Sequence, residues 1–191
     1  TENVVVNSPM IIHSESGPEE TIVIPSVQNT PVFSLSASES TVAGLTIRGV
    51  IGGAALISLS GVSGCTIEDN IISTSKYGIN MVDTRKNRIL NNTLDTISEA
   101  GIDLKRAESD LLSGNTITSC KNGIQIYDSG NQYSYRVKIR DNTLTGCDYA
   151  IHLKYRMEGI EIINNTITAG KLGLMIEDGP TGNIIIGNTI Q

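Results

Sequence analysis

From about residue 65 the chain alternates apolar and polar positions in short runs, and equivalent runs return at a nearly constant interval. Alternation of this kind marks a strand that buries one face. Three runs recur in phase. The first follows an asparagine: Asn92-Thr93-Leu94, Asn115-Thr116-Ile117, Asn142-Thr143-Leu144, Asn165-Thr166-Ile167 and Asn188-Thr189-Ile190. The second begins on a small residue: Gly78-Ile79-Asn80-Met81, Gly101-Ile102-Asp103-Leu104, Gly123-Ile124-Gln125-Ile126, Ala150-Ile151-His152-Leu153 and Gly173-Leu174-Met175-Ile176. The third precedes the asparagine: Cys65-Thr66-Ile67, Asn87-Arg88-Ile89, Asp110-Leu111-Leu112, Val137-Lys138-Ile139, Ile160-Glu161-Ile162 and Asn183-Ile184-Ile185. The anchoring asparagines, Asn70, Asn92, Asn115, Asn142, Asn165 and Asn188, are separated by 22, 23, 27, 23 and 23 residues.

A fixed period outranks any element-by-element reading. Leucine-rich repeats share the length but need a leucine-dominated consensus and usually a helical return, and neither is visible. The pattern predicts an all-β fold: a right-handed single-stranded parallel β-helix, a solenoid with three short strands per coil of 22–23 residues. Roughly seven to eight coils at ~4.8 Å each give a rod of ~35 Å. Alternation sends Ile102, Leu104, Ile124, Ile126, Ile151 and Leu153 into the lumen, and Asp103, Lys105, Gln125, Tyr127, His152 and Lys154 outward. The repeated Asn reads as a turn residue tolerant of αL, its amide bonded to the equivalent Asn one coil on. The Gly before Ile reads as a mark of tight backbone geometry.

Upstream the period loosens. Met10-Ile11-Ile12-His13 and Leu45-Thr46-Ile47-Arg48 resemble the strand before the Asn, whereas Val32-Phe33-Ser34-Leu35 and Leu56-Ile57-Ser58-Leu59 resemble the Gly-Ile strand. The chain is therefore expected to be a single β-helix domain over 1–191, with irregular coils over 1–64 and regular repeats over 65–191. Without an initiator Met or signal peptide, it reads as a mature product or a segment of a longer chain.

Composition agrees with a thin core. The 191 residues include 28 Ile and 16 Asn but one Phe and no Trp, and a narrow lumen filled by branched aliphatics has no place for large rings. A net charge of -6 argues against a nucleic-acid partner. No apolar run is long enough for membrane insertion.

The opening Glu2-Asn3-Val4-Val5-Val6-Asn7, with Ile12-His13-Ser14-Glu15-Ser16-Gly17, Gly44-Leu45-Thr46-Ile47-Arg48-Gly49 and the many Gly-Ile-x-Leu and Asn-Asn-Thr-Ile repeats, resembles the right-handed β-helix repeat proteins of the pectin-lyase-like class. The likeness is nearest to cell-surface proteins of methanogenic archaea. That class includes polysaccharide lyases, hydrolases and epimerases, copper-associated maturation proteins and structural surface modules, so the resemblance implies a fold and not one chemistry.

In the enzymes of that class the substrate lies across the outer face of one parallel sheet. The outward columns of the Gly-Ile strands are Asn80, Asp103, Gln125, His152, Met175 and, two residues on, Val82, Lys105, Tyr127, Lys154, Glu177. Asp103, Lys105, His152 and Lys154 are the candidate catalytic residues for a lyase or hydrolase reaction. The longest coil puts its extra residues in Tyr127-Asp128-Ser129-Gly130-Asn131-Gln132-Tyr133-Ser134-Tyr135, beside this patch. Tyr127, Tyr133, Tyr135, Tyr155 and Arg156 are the candidate carbohydrate-binding residues, since aromatic faces beside cations suit sugars and uronates. A solvent-facing sheet also needs polar residues and alternating charge simply to exist.

No metal or other cofactor is expected: His13 and His152 are far apart in the chain, Met175 is the soft neighbour of His152, and two residues do not complete a copper site. Cys120 and Cys147 each follow their Asn by five residues and should lie side by side in adjacent coils, as buried free thiols in preference to a disulfide. Outward Ile163, Ile184 and Ile186 are apolar where polar residues are expected, and uncapped strand ends invite pairing. They point to self-association or contact with flanking β-helix domains. The expected function is an extracellular structural or assembly module of a cell-surface layer, sheath or adhesive protein. The alternative is a polysaccharide-binding or polysaccharide-cleaving β-helix.

Overall fold

The computed structural model describes residues 1–49, 52–128, 133–179 and 181–191. Among them the chain winds as a right-handed parallel β-helix of about seven turns. Its strands form a 13-stranded sheet, an 8-stranded sheet and a small pair, Ser134–Tyr135 with Met157–Glu158. The predicted lumen residues Ile102, Leu104, Ile124, Ile126, Ile151 and Leu153 have no exposed surface. They stack in register from coil to coil, Ile102 on Ile124 and Ile124 on Ile151, so each coil's apolar face is covered by the next.

The three runs per coil are present, but two of them fuse in the central coils. Ile71–Val82, Thr93–Lys105 and Thr116–Tyr127 are single continuous strands that turn a corner without breaking. The corner is made by Thr74, Thr96 and Ser119, with φ of 61°, 57° and 56°. One residue in the left-handed region redirects the backbone while the ladder resumes beyond it, with a register shift between Ile97 and Ala100. In the following coil the same two runs are separate, Thr143–Thr145 and Tyr149–Lys154.

The asparagine column is a buried amide ladder. Asn70, Asn92, Asn115, Asn142 and Asn165 each donate from Nδ2 to Oδ1 of the next, at 3.0, 3.1, 3.0, 3.0 and 2.9 Å. Each Nδ2 also donates to a strand carbonyl, as Asn92 does to Ile67 at 2.9 Å. The αL part of the expectation needs correction. The left-handed residue is the one before each ladder Asn: Asp69, Asn91, Asp141 and Asn164, with Gly114 and Gly187 at the remaining coils. The ladder Asn itself continues into the strand, so its amide points inward where a turn residue's would not.

The glycines before Ile are confined by packing. A Cβ on Gly123 would lie 2.6 Å from the Ala150 carbonyl oxygen and 2.6 Å from Leu144 Cδ2. Gly78 and Gly101 meet the next coil's carbonyl in the same way, at 2.5 and 2.8 Å. Among the described residues no helix is long and apolar enough to cross a membrane.

Candidate functional site

The Gly-Ile strands stack as the alternation requires: Asn80, Asp103, Gln125, His152 and Met175 form one outward column. A parallel column three residues upstream carries Tyr77, Ala100, Asn122, Tyr149 and Leu172. Its sequence of sizes makes a groove. Tyr77 and Tyr149 stand three strand steps apart, about 14 Å at the ordinary spacing, and between them lie only Ala100 and Asn122. The result is a trough of about 410 Å³ with Tyr77, Tyr127, Tyr149 and Tyr155 on its sides.

Polar groups line the same trough. His152 Nδ1 lies 3.2 Å from Asn122 Oδ1, and the Asn122 amide donates to the Glu99 carbonyl at 3.4 Å. The acceptor role of Oδ1 assigns the proton to Nδ1. His152 Nε2 is buried and has no hydrogen-bond partner; Glu177 Oε2 is 3.4 Å away but not aligned for one. Lys154 Nζ is 3.6 Å from the same Glu177 oxygen and 5.2 Å from the Tyr155 ring centre. Lys121 pairs with Glu99 at 3.1 Å. The His152 and Tyr149 rings lie 5.6 Å apart, tilted by 35°.

Asp103 faces outward from the sheet but is only 4% exposed. Its Oδ1 has no hydrogen-bond partner, and burial pushes its carboxyl up to about 7, against a smaller opposing pull from Lys105. Its charge in turn helps raise the Tyr127 phenol, after the effect of that ring's own burial. Lys105 Nζ sits 5.6 Å from the Tyr127 ring centre. Asp103 was expected on a wet face; its neighbours across the coils cover it instead.

Of the sequence-predicted residues, Tyr127, His152, Lys154 and Tyr155 come together at the groove. Tyr133 and Tyr135 lie at a separate depression with Arg136 and Glu158, and Arg156 adjoins Tyr133 at its rim. Within the long-coil insertion, Ser129-Gly130-Asn131-Gln132 lie outside the described residues. Tyr77, Glu99, Lys121, Asn122 and Tyr149 were missed. Their signal was in the column, a large residue at each end of two small ones, and not in any local cluster. Ile163, Ile184 and Ile186 occupy outward positions of the 8-stranded sheet, where Ile163 stacks on Arg140 and Ile186 on Ile163. Ile163 is half-buried, whereas Ile184 and Ile186 are exposed on the last strand of that sheet.

Cys65, Cys120 and Cys147 are free and buried. As the phase required, Cys120 and Cys147 are neighbours in adjacent coils: Thr118 pairs with Thr145 in the strands just before them, and the Asp148 amide next to Cys147 donates to the Cys120 carbonyl at 3.1 Å. Among the described residues no group of three or more His, Cys, Asp or Glu could hold a metal ion. The nitrogen and carboxylate donors that Cu(II) prefers are thus not gathered, and the soft donors that are gathered number two.

Two of the solved structures similar to this chain are catalytic domains of a GH87 α-1,3-glucanase. One, in complex with tetrasaccharides, has 12% identity and a TM-score of 0.48. The other, in complex with nigerose, has 13% identity and a TM-score of 0.47. Each match covers 98% of this chain and 62% of that one, so the chain spans less than two thirds of their length. No curated protein sequence matches it. A family model described as periplasmic copper-binding protein (NosD) matches residues 15–191, and the chain belongs to the NosD family.

Proposed function

We propose that the protein is an extracytoplasmic β-helix that binds a carbohydrate chain across the outer face of its long sheet. The observation that carries this reading is the trough between Tyr77 and Tyr149, lined between them by Glu99, Lys121, Asn122 and Gln125. Tyrosine rings offer apolar faces to the C–H faces of sugars while their hydroxyls stay wet. Gln125, His152 and Glu177 on three successive strands, with Asn122 on the same strand as Gln125, supply donors and acceptors, which suits a ligand with a hydroxyl on every ring. A family described as periplasmic supports a place outside the cytoplasm. The reading is binding and not cleavage. Glycoside hydrolysis usually takes two carboxyl groups flanking one bond, whereas Glu99 and Glu177 are engaged with cations and Asp103 is covered.

A glycan array followed by calorimetry on the best ligand tests it. Tyr149→Ala and Tyr77→Ala should each weaken binding at least tenfold with an unchanged circular dichroism spectrum. Failure of the wild-type chain to bind any oligosaccharide, neutral or acidic, would sink the reading.

A second reading is favoured by a separate observation. The family name carries copper, and among the described residues two soft donors, Cys120 and Cys147, stand side by side in adjacent coils. Thiolates select the monovalent ion, so copper handling by this chain would concern Cu(I).

A further inference from the structure

Cys120 and Cys147 hold the same place in successive coils, at the corner where the Thr-bearing strand turns toward the Gly-Ile strand. The residue before them in the column is Ile97. The one after is Gly170, whose amide donates to the Cys147 carbonyl at 2.7 Å. The sulfurs are thus bracketed by an apolar side chain on one side and a residue without a side chain on the other. Cys147 has no exposed surface and Cys120 is 7% exposed.

Each sulfur is otherwise surrounded by weak partners. Cys120 Sγ lies 3.2 Å from the Thr118 carbonyl oxygen. Cys147 Sγ lies 3.9 Å from that of Thr145 and 4.0 Å from that of Ile117. Carbonyl oxygens in these positions can accept an S–H proton but make no covalent claim on sulfur. Cys65, by contrast, is held separately against the Ala37 carbonyl at 3.4 Å.

Resting on the copper reading above, we propose that Cys120 and Cys147 form a two-coordinate Cu(I) site, one thiolate from each of two adjacent coils. Strand spacing suits the span. Metal–thiolate bonds are ~2.3 Å long, so two in line need ~4.6 Å between sulfurs, close to the ~4.8 Å between paired strands. Zn(II) in a structural site takes four ligands, and among the described residues no third or fourth His, Cys, Asp or Glu joins the pair. Cu(I) is satisfied by two. Binding forms two Cu–S bonds, breaks two S–H bonds and releases two protons to solvent, and the copper enters and stays as Cu(I), with no change of oxidation state.

The test is an anaerobic titration of the reduced full chain with Cu(I), supplied as its acetonitrile complex, against a chromogenic Cu(I) chelator. The wild-type chain should withdraw one equivalent from the chelator and develop a near-ultraviolet thiolate-to-copper absorption. Cys65→Ser should behave identically. Cys120→Ser and Cys147→Ser, with unchanged circular dichroism, should each lose at least 100-fold in affinity and lose the absorption. Retention of one tightly bound copper in Cys147→Ser would overturn the site while leaving the copper reading standing; no copper withdrawn by the wild-type chain would overturn both. A thiol count of one in protein isolated without reductant would show that the pair closes to a disulfide, and would also overturn the site.

Discussion

Asn115 Nδ2 donates to Asn142 Oδ1 at 3.0 Å across 27 residues, the same length as the Asn70–Asn92 bond across 22. The longest coil therefore leaves no mark on the ladder. The buried amides fix where each coil must return.

Asn142→Ala tests what the ladder is worth. Asn142 Oδ1 accepts from the Asn115 amide N and Nδ2 at 2.9 and 3.0 Å, and its Nδ2 donates to Leu112 O and Asn165 Oδ1, both at 3.0 Å. Truncation strands buried partners on both sides, each costing about 1–3 kcal/mol when left unmade. Partial relaxation brings the expected loss to about 3–5 kcal/mol in denaturant unfolding. A loss below ~1 kcal/mol would mean that the amides are interchangeable with packing.

Gly123→Ala should be severe for a different reason. The new methyl would sit 2.6 Å from the Ala150 carbonyl oxygen, a backbone atom that cannot swing away, so coils must separate locally at about 1–3 kcal/mol or more. Gly170→Ala is the control, because its Cβ would meet the Cys147 carbonyl oxygen at 3.3 Å. Thermal melts of the two variants should differ clearly; equal shifts would show that the contact at Gly123 is soft.

The period made the lumen and the ladder legible, because stacking repeats each choice at every coil: Ile102, Ile124 and Ile151 declare one another. What repetition does not announce stayed hidden. Thr74 and Thr96 adopt φ of 61° and 57°, and nothing in a β-branched residue advertises that geometry. Clustering in the chain drew attention to the tyrosines from 127 to 155, yet Tyr133 and Tyr135 belong to another depression. The groove needed Tyr77 and Tyr149, far apart in sequence and joined only by register. The sequence therefore put assembly through Ile163, Ile184 and Ile186 first, whereas our proposal of carbohydrate binding rests on the groove that register assembles.

Asp110 replaces an amide in the second polar column and is not exposed. Its oxygens accept from the Asn87 amide N at 2.6 Å, Asn87 Nδ2 at 3.0 Å and Thr84 Oγ1 at 2.7 Å. Burial nonetheless outweighs these bonds and raises its carboxyl to about 6. Asn keeps an oxygen for Asn87, and Thr84 can turn its hydroxyl to accept. Asp110→Asn should therefore be near neutral at pH 5 and stabilising by about 1–2 kcal/mol at pH 8, whereas Asp110→Ala should destabilise at both. A destabilised Asp110→Asn at pH 8 would show that the three bonds outweigh the desolvation.

Asp103 gives the sharper pH test, since it has an unpartnered oxygen and a carboxyl raised from 3.8 to about 7. A folded state that holds its proton more tightly than the unfolded chain is favoured at low pH. The contribution is fully present below about pH 4, is lost progressively as pH rises toward 7, and is gone above it. Asp103→Asn removes the titration while keeping the shape. It should match the wild-type chain at pH 4 and exceed its stability at pH 8 by on the order of 2–4 kcal/mol. Melting curves across that range decide the matter, with the carboxyl carbon shift of Asp103 as the direct readout. A constant difference between the two proteins from pH 4 to pH 8 would mean that Asp103 ionises normally, and hence that water reaches it through the wall of the groove. Because Tyr127 lines the trough and feels the Asp103 charge, the same titration should perturb Tyr127 and shift saccharide binding with a midpoint near 7. In Asp103→Asn that pH dependence should vanish while binding itself persists.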